Sequence, residues 1–248
     1  MTTSNPTPSR GGTGAESGPA SRVRAVLFDL DGTLIDTIGL ILASFRYATE
    51  KVLGAPLPDD VLLRDIGTPL SAQMADISAP HADELVRVYR EHNNIHHDTM
   101  AAEYPGTEAA LRGLKEAGYP IGVVTSKLNA GAQRGLQLFG LESYIDFIVG
   151  ADDVTVHKPD PYPLIHAAGI LGIPLENCIY IGDSPHDMAA AVAGGAVSAA
   201  ALWGPFDRSV VLAQRPDYAL SSASDLLPLL AGDEERFRTS HRINGTNG

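Results

Sequence analysis

The sequence has a single cysteine, Cys178, among its 248 residues. One thiol excludes an internal disulfide and a metal site built from cysteines. Cys178 stands at the head of an apolar segment, where a small buried side chain is expected rather than a nucleophile. The sequence also lacks a run of about 18 apolar residues, so no membrane-spanning helix is predicted.

Positive charge is scarce as well. The chain has 18 Lys and Arg against 30 Asp and Glu, which gives a formal net charge of −12 and a pI near 5.0. A nucleic-acid surface needs clustered Lys and Arg, so no nucleic-acid partner is expected. A site for a small anion would have to supply its own cations. The 44% hydrophobic content allows one large or two small domains with a sizeable core.

Both ends of the chain are poor in apolar residues. Residues 1–22 are rich in Ser, Thr, Pro and Gly and lack the apolar stretch of a signal peptide; residues 233–248 are polar. We expect a disordered tail over 1–22 and a flexible tail over 233–248. The expected location is the cytoplasm, with no membrane contact, and the oligomeric state stays open.

Two aspartates, Asp29 and Asp31, lie where an apolar segment over residues 23–28 ends. Side chains alternate along a strand, so both carboxylates are predicted on one side of the chain. Gly32 permits a sharp turn, and the Thr33 hydroxyl and nearby amides can hold an anion. Taken alone, the pattern also fits a polar strand-to-loop corner, since Asp and Gly are common turn residues.

Three further polar groups follow apolar segments downstream: first Thr125 and Ser126, then Lys158, and then Asp183 with Asp187. In an open parallel sheet, ligands bind outside the carboxyl ends of the strands. All four groups are therefore predicted to converge on one crevice.

The order of predicted elements indicates an α/β fold with two domains. Strands alternate with helices over residues 106–232, which predicts βαβ units and a parallel sheet with helices on both faces. Residues 36–105 instead show apolar residues at helical spacing, with Thr37 as a candidate N-cap and Gly54 as a stop. We predict a Rossmann-like parallel sheet core over 23–35 and 106–232, with an inserted all-helical cap domain over 36–105.

The four motifs together resemble the haloacid dehalogenase superfamily, whose pattern is DxDGT, a Ser or Thr, a Lys and GDxxxD. All four are present in order, and the resemblance covers roughly residues 23–230. A helical insertion just after the first motif is similar to the superfamily's first cap class, C1. The resemblance implies a phosphohydrolase of small phosphates that needs Mg²⁺ and forms an aspartyl-phosphate.

The resemblance also implies the roles of the acidic residues. Asp29 would be the nucleophile, and Asp31 would protonate the leaving group and then activate water. Mg²⁺ would be bound by Asp29, Asp183 and the backbone carbonyl of Asp31, while Asp187 would brace these ligands.

The remaining motif residues would hold the phosphate. Thr125, the Ser126 amide and the loop at Gly32 and Thr33 would bind its oxygens, and Lys158 would add positive charge opposite the nucleophile. Taken singly, Thr125 also fits a strand-end hydroxyl, and Lys158 also fits a solvated surface lysine. Their occurrence in order with the other motifs favours a catalytic role.

The sequence of the cap bears on the choice of substrate. Its YRxxN…HD run over residues 89–98 resembles the caps of the superfamily's inorganic pyrophosphatases. In the core, VVTSK at 123–127 resembles a run found in those enzymes and in phosphoglycolate phosphatases. Residues 64–70 resemble the substrate-facing cap loop, with a simple interhelical turn as the alternative. On this basis Arg64 and His92 are predicted to bind substrate.

Other histidines receive no functional prediction. His92 and His96 have the four-residue spacing of a helical metal pair, but no further ligand cluster accompanies them. A helical stripe of partly buried residues that includes Ile95 is expected instead. His186 lies within the GDxxxD spacing, but it is not a motif position.

Pyrophosphate and phosphoglycolate are the first candidate substrates, and the exact substrate stays open. The alternative is a phosphotransferase of the β-phosphoglucomutase type. Such mutases place a His soon after the first motif, whereas residues 36–40 contain none, which favours water as the acceptor. A non-catalytic scaffold is expected to have lost at least one of the acids, and none is missing.

Overall fold

A computed structural model describes residues 18–239 and shows eight strands in this range. They are β1 (Ala25–Phe28), β2 (Ile35–Asp36), β3 (Ala102–Glu103), β4 (Ile121–Val124), β5 (Phe147–Val149), β6 (Cys178–Gly182), β7 (Val197–Ala201) and β8 (Tyr218–Leu220). Six of them form a parallel sheet in the order β5-β4-β1-β6-β7-β8. The predicted α/β fold with a Rossmann-like sheet is confirmed, and β1 lies inside the sheet.

Ten α-helices accompany these strands in the same range. They are α1 (Ile38–Leu53), α2 (Asp59–Leu63), α3 (Leu70–Ser78), α4 (Ala82–Met100), α5 (Thr107–Glu116), α6 (Asn129–Leu138), α7 (Tyr162–Leu171), α8 (Pro185–Gly194), α9 (Arg208–Leu212) and α10 (Leu226–Leu230). None of the helices between residues 18 and 239 has the length and apolar character needed to cross a membrane.

The sheet is buried on both faces, which explains why its strands are continuously apolar rather than alternating. Val26 and Phe28 of β1 belong to one apolar cluster, which includes residues of α5, α6 and α10. Ala25 and Leu27 belong to a second cluster, with residues of α7 and α8. The polar residues that follow β1 are thereby fixed at the carboxyl edge of the sheet.

Helices α1 to α4 form the inserted cap, and α1 packs extensively against α4. Helix α1 starts after Thr37 and ends at Gly54, which has a left-handed φ of 87°, as predicted. At the centre of the cap, the rings of Phe45 and Tyr89 meet edge to face at 4.9 Å. Ile95, expected on the inner stripe of α4, is 75% exposed.

The cap joins the core through two chain crossings that pair as a short antiparallel ladder. Ile35 of β2 faces Glu103 of β3, and Asp36 faces Ala102. The prediction of an insertion made only of helices missed this pair, because two-residue strands leave no periodic pattern. We retain the division into a core (23–35 and 106–232) and a cap (36–105) as a proposal, with this ladder at the boundary.

The predicted tails are wrong where the structure describes them. Residues 19–22 form a 3₁₀ turn with a buried Ala20, whose N–H donates to the Tyr218 hydroxyl at 3.0 Å. At the other end Phe237 packs into the core, and Tyr218 donates to the Glu234 carboxylate at 2.6 Å. These few side chains complete the core beside β8. Residues 1–17 and 240–248 lie outside the described part.

Replacing Phe237 should therefore destabilise the protein. Phe237→Ala is expected to lower the free energy of unfolding by about 3 kcal/mol, because a buried ring leaves a cavity. Urea unfolding followed by circular dichroism would measure the change. The control Ile170→Ala truncates a side chain that is 52% exposed and should change little. Equal small effects in both variants would support a flexible tail at Phe237.

Candidate active site

The carboxyl ends of the inner strands bring the predicted motifs together. Asp29 follows β1, Thr125 follows β4 and Asp183 follows β6, and all three side chains are buried. The backbone continues the sheet at these points, since the Asp29 N–H donates to the Ile181 carbonyl at 2.8 Å. The residues are thus placed by the sheet itself, as predicted from the motif order.

A cluster of carboxylates forms the centre of this region. Carboxylate oxygens of Asp29, Asp183 and Asp187 all lie within 4.8 Å of one another. The buried Lys158 ammonium donates to Asp29 at 2.9 Å and to Asp187 at 2.6 Å. When all three acids are ionised, three negative charges face one positive charge.

Burial and this imbalance of charge shift the pKa values of the three acids. Burial raises the pKa of Asp29 to about 7, with Lys158 opposing the rise and Asp187 adding to it. Burial, followed by the charges of Asp187 and Asp29, raises the pKa of Asp183 well above its ordinary value. Burial also acts to raise the pKa of Asp187, but Lys158 and the hydrogen bonds from Ser184 lower it overall. Additional positive charge would therefore stabilise the ionised form of the cluster.

Asp187 accepts three hydrogen bonds, and the Tyr180 hydroxyl lies close enough to donate a fourth. One oxygen accepts from Lys158 and lies 3.0 Å from the Tyr180 hydroxyl; the other accepts from the N–H and hydroxyl of Ser184. Ser184 in turn caps α8 by accepting from the Asp187 N–H at 3.1 Å. Asp187 therefore orients Lys158, while its own oxygens are already engaged.

Tyr180 is a site residue that the sequence did not reveal. Its hydroxyl accepts from Lys158 at 2.9 Å and lies 3.0 Å from both the Val124 carbonyl and Asp187, to one of which it donates. The residue is fully buried in β6. An aromatic residue in an apolar strand reads as core, so no pattern distinguished it.

The loop after β1 holds Asp183 in place. Gly32 has a φ of 89°, and a Cβ there would lie 2.5 Å from Oδ2 of Asp183, so only glycine fits. The Thr33 hydroxyl donates to Oδ1 of Asp183 at 2.8 Å, and Trp203 donates to the Thr33 carbonyl at 3.0 Å. Gly32 and Thr33, predicted to bind substrate, instead pack against Asp183 and lie outside the cavity lining.

Asp31 is held by two donors. The hydroxyl of Thr37 and the ammonium of Lys127 both donate to its Oδ1, the latter at 2.7 Å. Its side chain is only partly buried and faces the cavity between core and cap. Lys127 was noted only as part of the VVTSK run; its pairing with Asp31 could not be read from the sequence.

A cavity of about 430 Å³ separates the core site from the cap. From the core, Asp29, Asp31, Thr125 and Ser126 line it. From the cap, lining residues include Phe45, Gly67, Gln73, Tyr89, Arg90 and Asn93. A cap loop meets the core here, since the Ser126 hydroxyl donates to the Gly67 carbonyl.

Arg64 and His92, the cap residues predicted to bind substrate, do not line this cavity. Arg64 is largely exposed and pairs with the neighbouring Asp65 at 3.0 Å. His92 lies 3.0 Å from the Ser44 hydroxyl and contacts the ring of His96 at 4.4 Å. Both segments do reach the cavity, but through other residues, because a helix presents only one face and the loop turns Arg64 outwards.

The histidines outside the core motifs stay without a functional prediction. Among residues 18–239, the one group of three or more potential metal ligands is the carboxylate cluster, which does not include His92 or His96. His186 is partly buried beside the cap loop, and burial lowers its pKa.

The donor set of the cluster fits a hard divalent cation such as Mg²⁺. All available ligands are oxygens, which Mg²⁺ prefers. Within the described residues, Oδ2 of Asp183 has no hydrogen-bond donor. A Cβ at Gly32 or Gly204 would lie within 2.7 Å of this oxygen, so two glycines leave the space beside it open.

These features define a phosphate-processing hydrolase: acids, a threonine and a lysine at one edge of a parallel sheet, beneath a helical cap. The haloacid dehalogenase-like hydrolase family model matches residues 26–201. The chain belongs to this family and is a phosphatase within it.

Three similar proteins are informative. "Pyrophosphatase PpaX" from Bacillus velezensis is 39% identical over 206 residues, which cover 83% of this chain and 95% of the relative. A solved structure assigned as a haloacid dehalogenase-like hydrolase from Bacteroides fragilis has a TM-score of 0.77 at 28% identity, covering 82% of this chain and 99% of that one. A structure assigned as a phosphoglycolate phosphatase from Lactobacillus plantarum has a TM-score of 0.75 at 25% identity, covering 84% and 99%.

The contacts of Tyr180 predict a role in positioning Lys158. Tyr180→Phe should keep the fold and lower phosphatase kcat/KM by about 10- to 100-fold, as for other residues that orient a site from outside. Tyr144→Phe is the matched control, because its hydroxyl contacts Glu108 at the surface. Phosphate release and thermal unfolding would be measured for both variants. Unchanged kcat/KM in Tyr180→Phe would contradict the role.

Proposed function

We propose that this phosphatase hydrolyses small phosphates in two steps through an aspartyl-phosphate on Asp29, with Mg²⁺ as cofactor. The observation that carries the proposal is the state of the Asp29 carboxylate. One oxygen is fixed by Lys158, while the other has no donor among residues 18–239, and the residue lines the cavity. This leaves one oriented oxygen for attack.

The residues around Asp29 supply the steps of the reaction. In the first step, Asp29 attacks phosphorus, the bond to the leaving oxygen breaks, and Asp31 donates a proton to that oxygen. In the second step, Asp31 takes a proton from the water that attacks the same phosphorus, which releases phosphate and restores Asp29. Thr125 and the Ser126 amide would hold phosphoryl oxygens, and Lys158 would offset charge at Asp29.

The contacts of Asp31 support its proposed role in both steps. It lines the cavity next to Asp29, and Thr37 and Lys127 hold one of its oxygens. The other oxygen is left for the leaving group and then for water. A carboxylate with one fixed oxygen keeps its orientation as its proton is lost and regained.

Mg²⁺ would be held by Asp29, Asp183 and the backbone carbonyl of Asp31. When bound, it would offset the charge of the acids and of the incoming phosphate. Asp187 supports this arrangement indirectly, since its oxygens are engaged by Lys158, Tyr180 and Ser184.

Pyrophosphate is the first candidate substrate, and a phosphoglycolate-like ester is the second. Support comes from the pyrophosphatase name of the Bacillus velezensis relative and from the phosphoglycolate phosphatase assignment of the Lactobacillus plantarum structure. The mutase alternative has weaker support, because the cap's first turn, residues 36–40, has no histidine. A cytoplasmic location and the lack of a nucleic-acid partner stay predictions.

Removal of the nucleophile tests the proposal directly. Asp29→Asn should lower pyrophosphate turnover by at least about 10³-fold, because an amide does not attack phosphorus. Asp76→Asn, an exposed acid of α3, is the control and should retain activity. Released phosphate would be measured, with circular dichroism to check the fold. With radioactive p-nitrophenyl phosphate, whose leaving group departs without a proton, Asp31→Asn should accumulate an acid-stable, hydroxylamine-labile phosphoryl label, because only the step that activates water is slowed. Turnover of Asp29→Asn within about threefold of wild type would reject the nucleophile.

Metal removal tests the cofactor separately. Excess chelator should abolish activity, and Mg²⁺ should restore it, whereas Ca²⁺ should not because its coordination is larger and looser. Mg²⁺ should also raise the thermal unfolding midpoint of the wild type, and raise it less in Asp183→Asn. Full activity in chelator, or equal midpoint shifts in both proteins, would exclude this site for the metal.

A further inference from the structure

We propose that Arg90 forms, with Asn93 and Asn94, a subsite for a second anionic group on the substrate, such as the leaving phosphate of pyrophosphate. This inference rests on the proposed function and assigns a substrate class to it: phosphates whose leaving group is itself charged. It replaces Arg64 and His92 as the cap residues that select the substrate.

The cations near the site differ in whether their charge is already balanced. Lys158 pairs with Asp29 and Asp187, and Lys127 pairs with Asp31. Arg90 lines the same cavity, but no carboxylate of the described chain lies within ion-pair distance of it. Its guanidinium is therefore the positive charge of the cavity wall that is open to a ligand.

The neighbouring side chains add neutral donors. Asn93 and Asn94 follow Arg90 at three and four residues along α4, so all three lie on one helix face, and all three line the cavity. The Asn94 side chain has no hydrogen-bond partner among residues 18–239, and the amide of Asn93 makes only a long contact of 3.4 Å with Ser44. Amide and guanidinium groups together suit an anion with several oxygens.

The charge of the opposite wall favours the same ligand. The acids that line the cavity are Asp29 and Asp31, both on the core side. No acidic side chain of the described cap residues lines it, so the cap wall adds no negative charge to the cavity. A phosphate held at Asp29 would thus have its charged leaving group directed at the cap wall.

Contacts to the core fix the position of this helix face. Arg134 of α6 donates to the Asn94 carbonyl at 3.1 Å and to Asp98 at 3.0 Å. These bonds tie the C-terminal half of α4 to the core, and the Ser126 bond to Gly67 ties the cap loop. Arg90 is consequently held over the cavity in this conformation.

The test compares two substrates in two arginine variants. Arg90→Gln should lower kcat/KM for pyrophosphate by about 10- to 100-fold, the range expected for losing a charge-assisted hydrogen bond. The loss on phenyl phosphate, whose leaving group carries no second anion, should be at least tenfold smaller than the loss on pyrophosphate. Arg87→Gln is the matched control, since Arg87 lies three residues earlier on α4 and pairs with Glu84 and Glu91 away from the cavity.

The outcomes separate the subsite from the reaction itself. A changed ratio of the two substrates in Arg90→Gln, partly restored in Arg90→Lys and absent in Arg87→Gln, would support the subsite. Equal losses on both substrates, or no loss on pyrophosphate, would overturn it. If the wild type hydrolyses phenyl phosphate through Asp29 but its preference does not depend on Arg90, the proposed function stands and the subsite falls. If Asp29→Asn retains activity on both substrates, the proposed function falls first.

Discussion

The ammonium of Lys158, buried between Asp29 and Asp187, is the interaction on which the site depends. A buried charge is costly unless it is paired and hydrogen-bonded. Lys158 meets this condition through two carboxylates and the Tyr180 hydroxyl. In return, it holds one oxygen of Asp29 in place, so the orientation of this carboxylate depends on two other chain segments, those of Lys158 and Asp187. Asp187 lies near Asp29 because β1 and β6 are neighbours in the sheet.

The same ion pair explains why Asp183 and Asp187 differ in pKa and in their contacts. Asp187 has a lowered pKa and accepts three hydrogen bonds from Lys158 and Ser184, which make it a fixed anion with little capacity for another ligand. Asp183 has a raised pKa and one unengaged oxygen beside two glycines. Asp183 and Asp187 therefore differ although they are four residues apart. Asp187 is paired with Lys158, whereas one oxygen of Asp183 stays available for a ligand.

The core motifs could be predicted from the sequence because their chemistry is local. A polar residue directly after an apolar strand is placed by that strand, so the positions of Asp29, Thr125 and Asp183 could be predicted, whereas their roles came from the resemblance of the four motifs to a known family. Arg90 could not be found in this way, since the phase of α4 relative to the core depends on contacts such as Arg134 with Asp98. Tyr180 was missed because an aromatic residue in an apolar strand reads as core, and its contacts with Lys158, Val124 and Asp187 form only in the folded chain. The ends were misjudged because a few apolar side chains, such as Phe237, suffice to complete a core.

The β2–β3 ladder has a mechanical consequence. The cap is attached to the core at two adjacent crossings, each two residues long. Two neighbouring anchor points define a line, so the cap is suited to swing about that line rather than to slide across the sheet. Thr37, which holds Asp31, lies directly after β2 and thus next to this axis. Arg90 lies near the middle of α4, about three helical turns before β3, so the same swing would move it through a longer arc. One rotation would therefore shift the cap wall of the cavity while the Asp31 carboxylate stays almost in place.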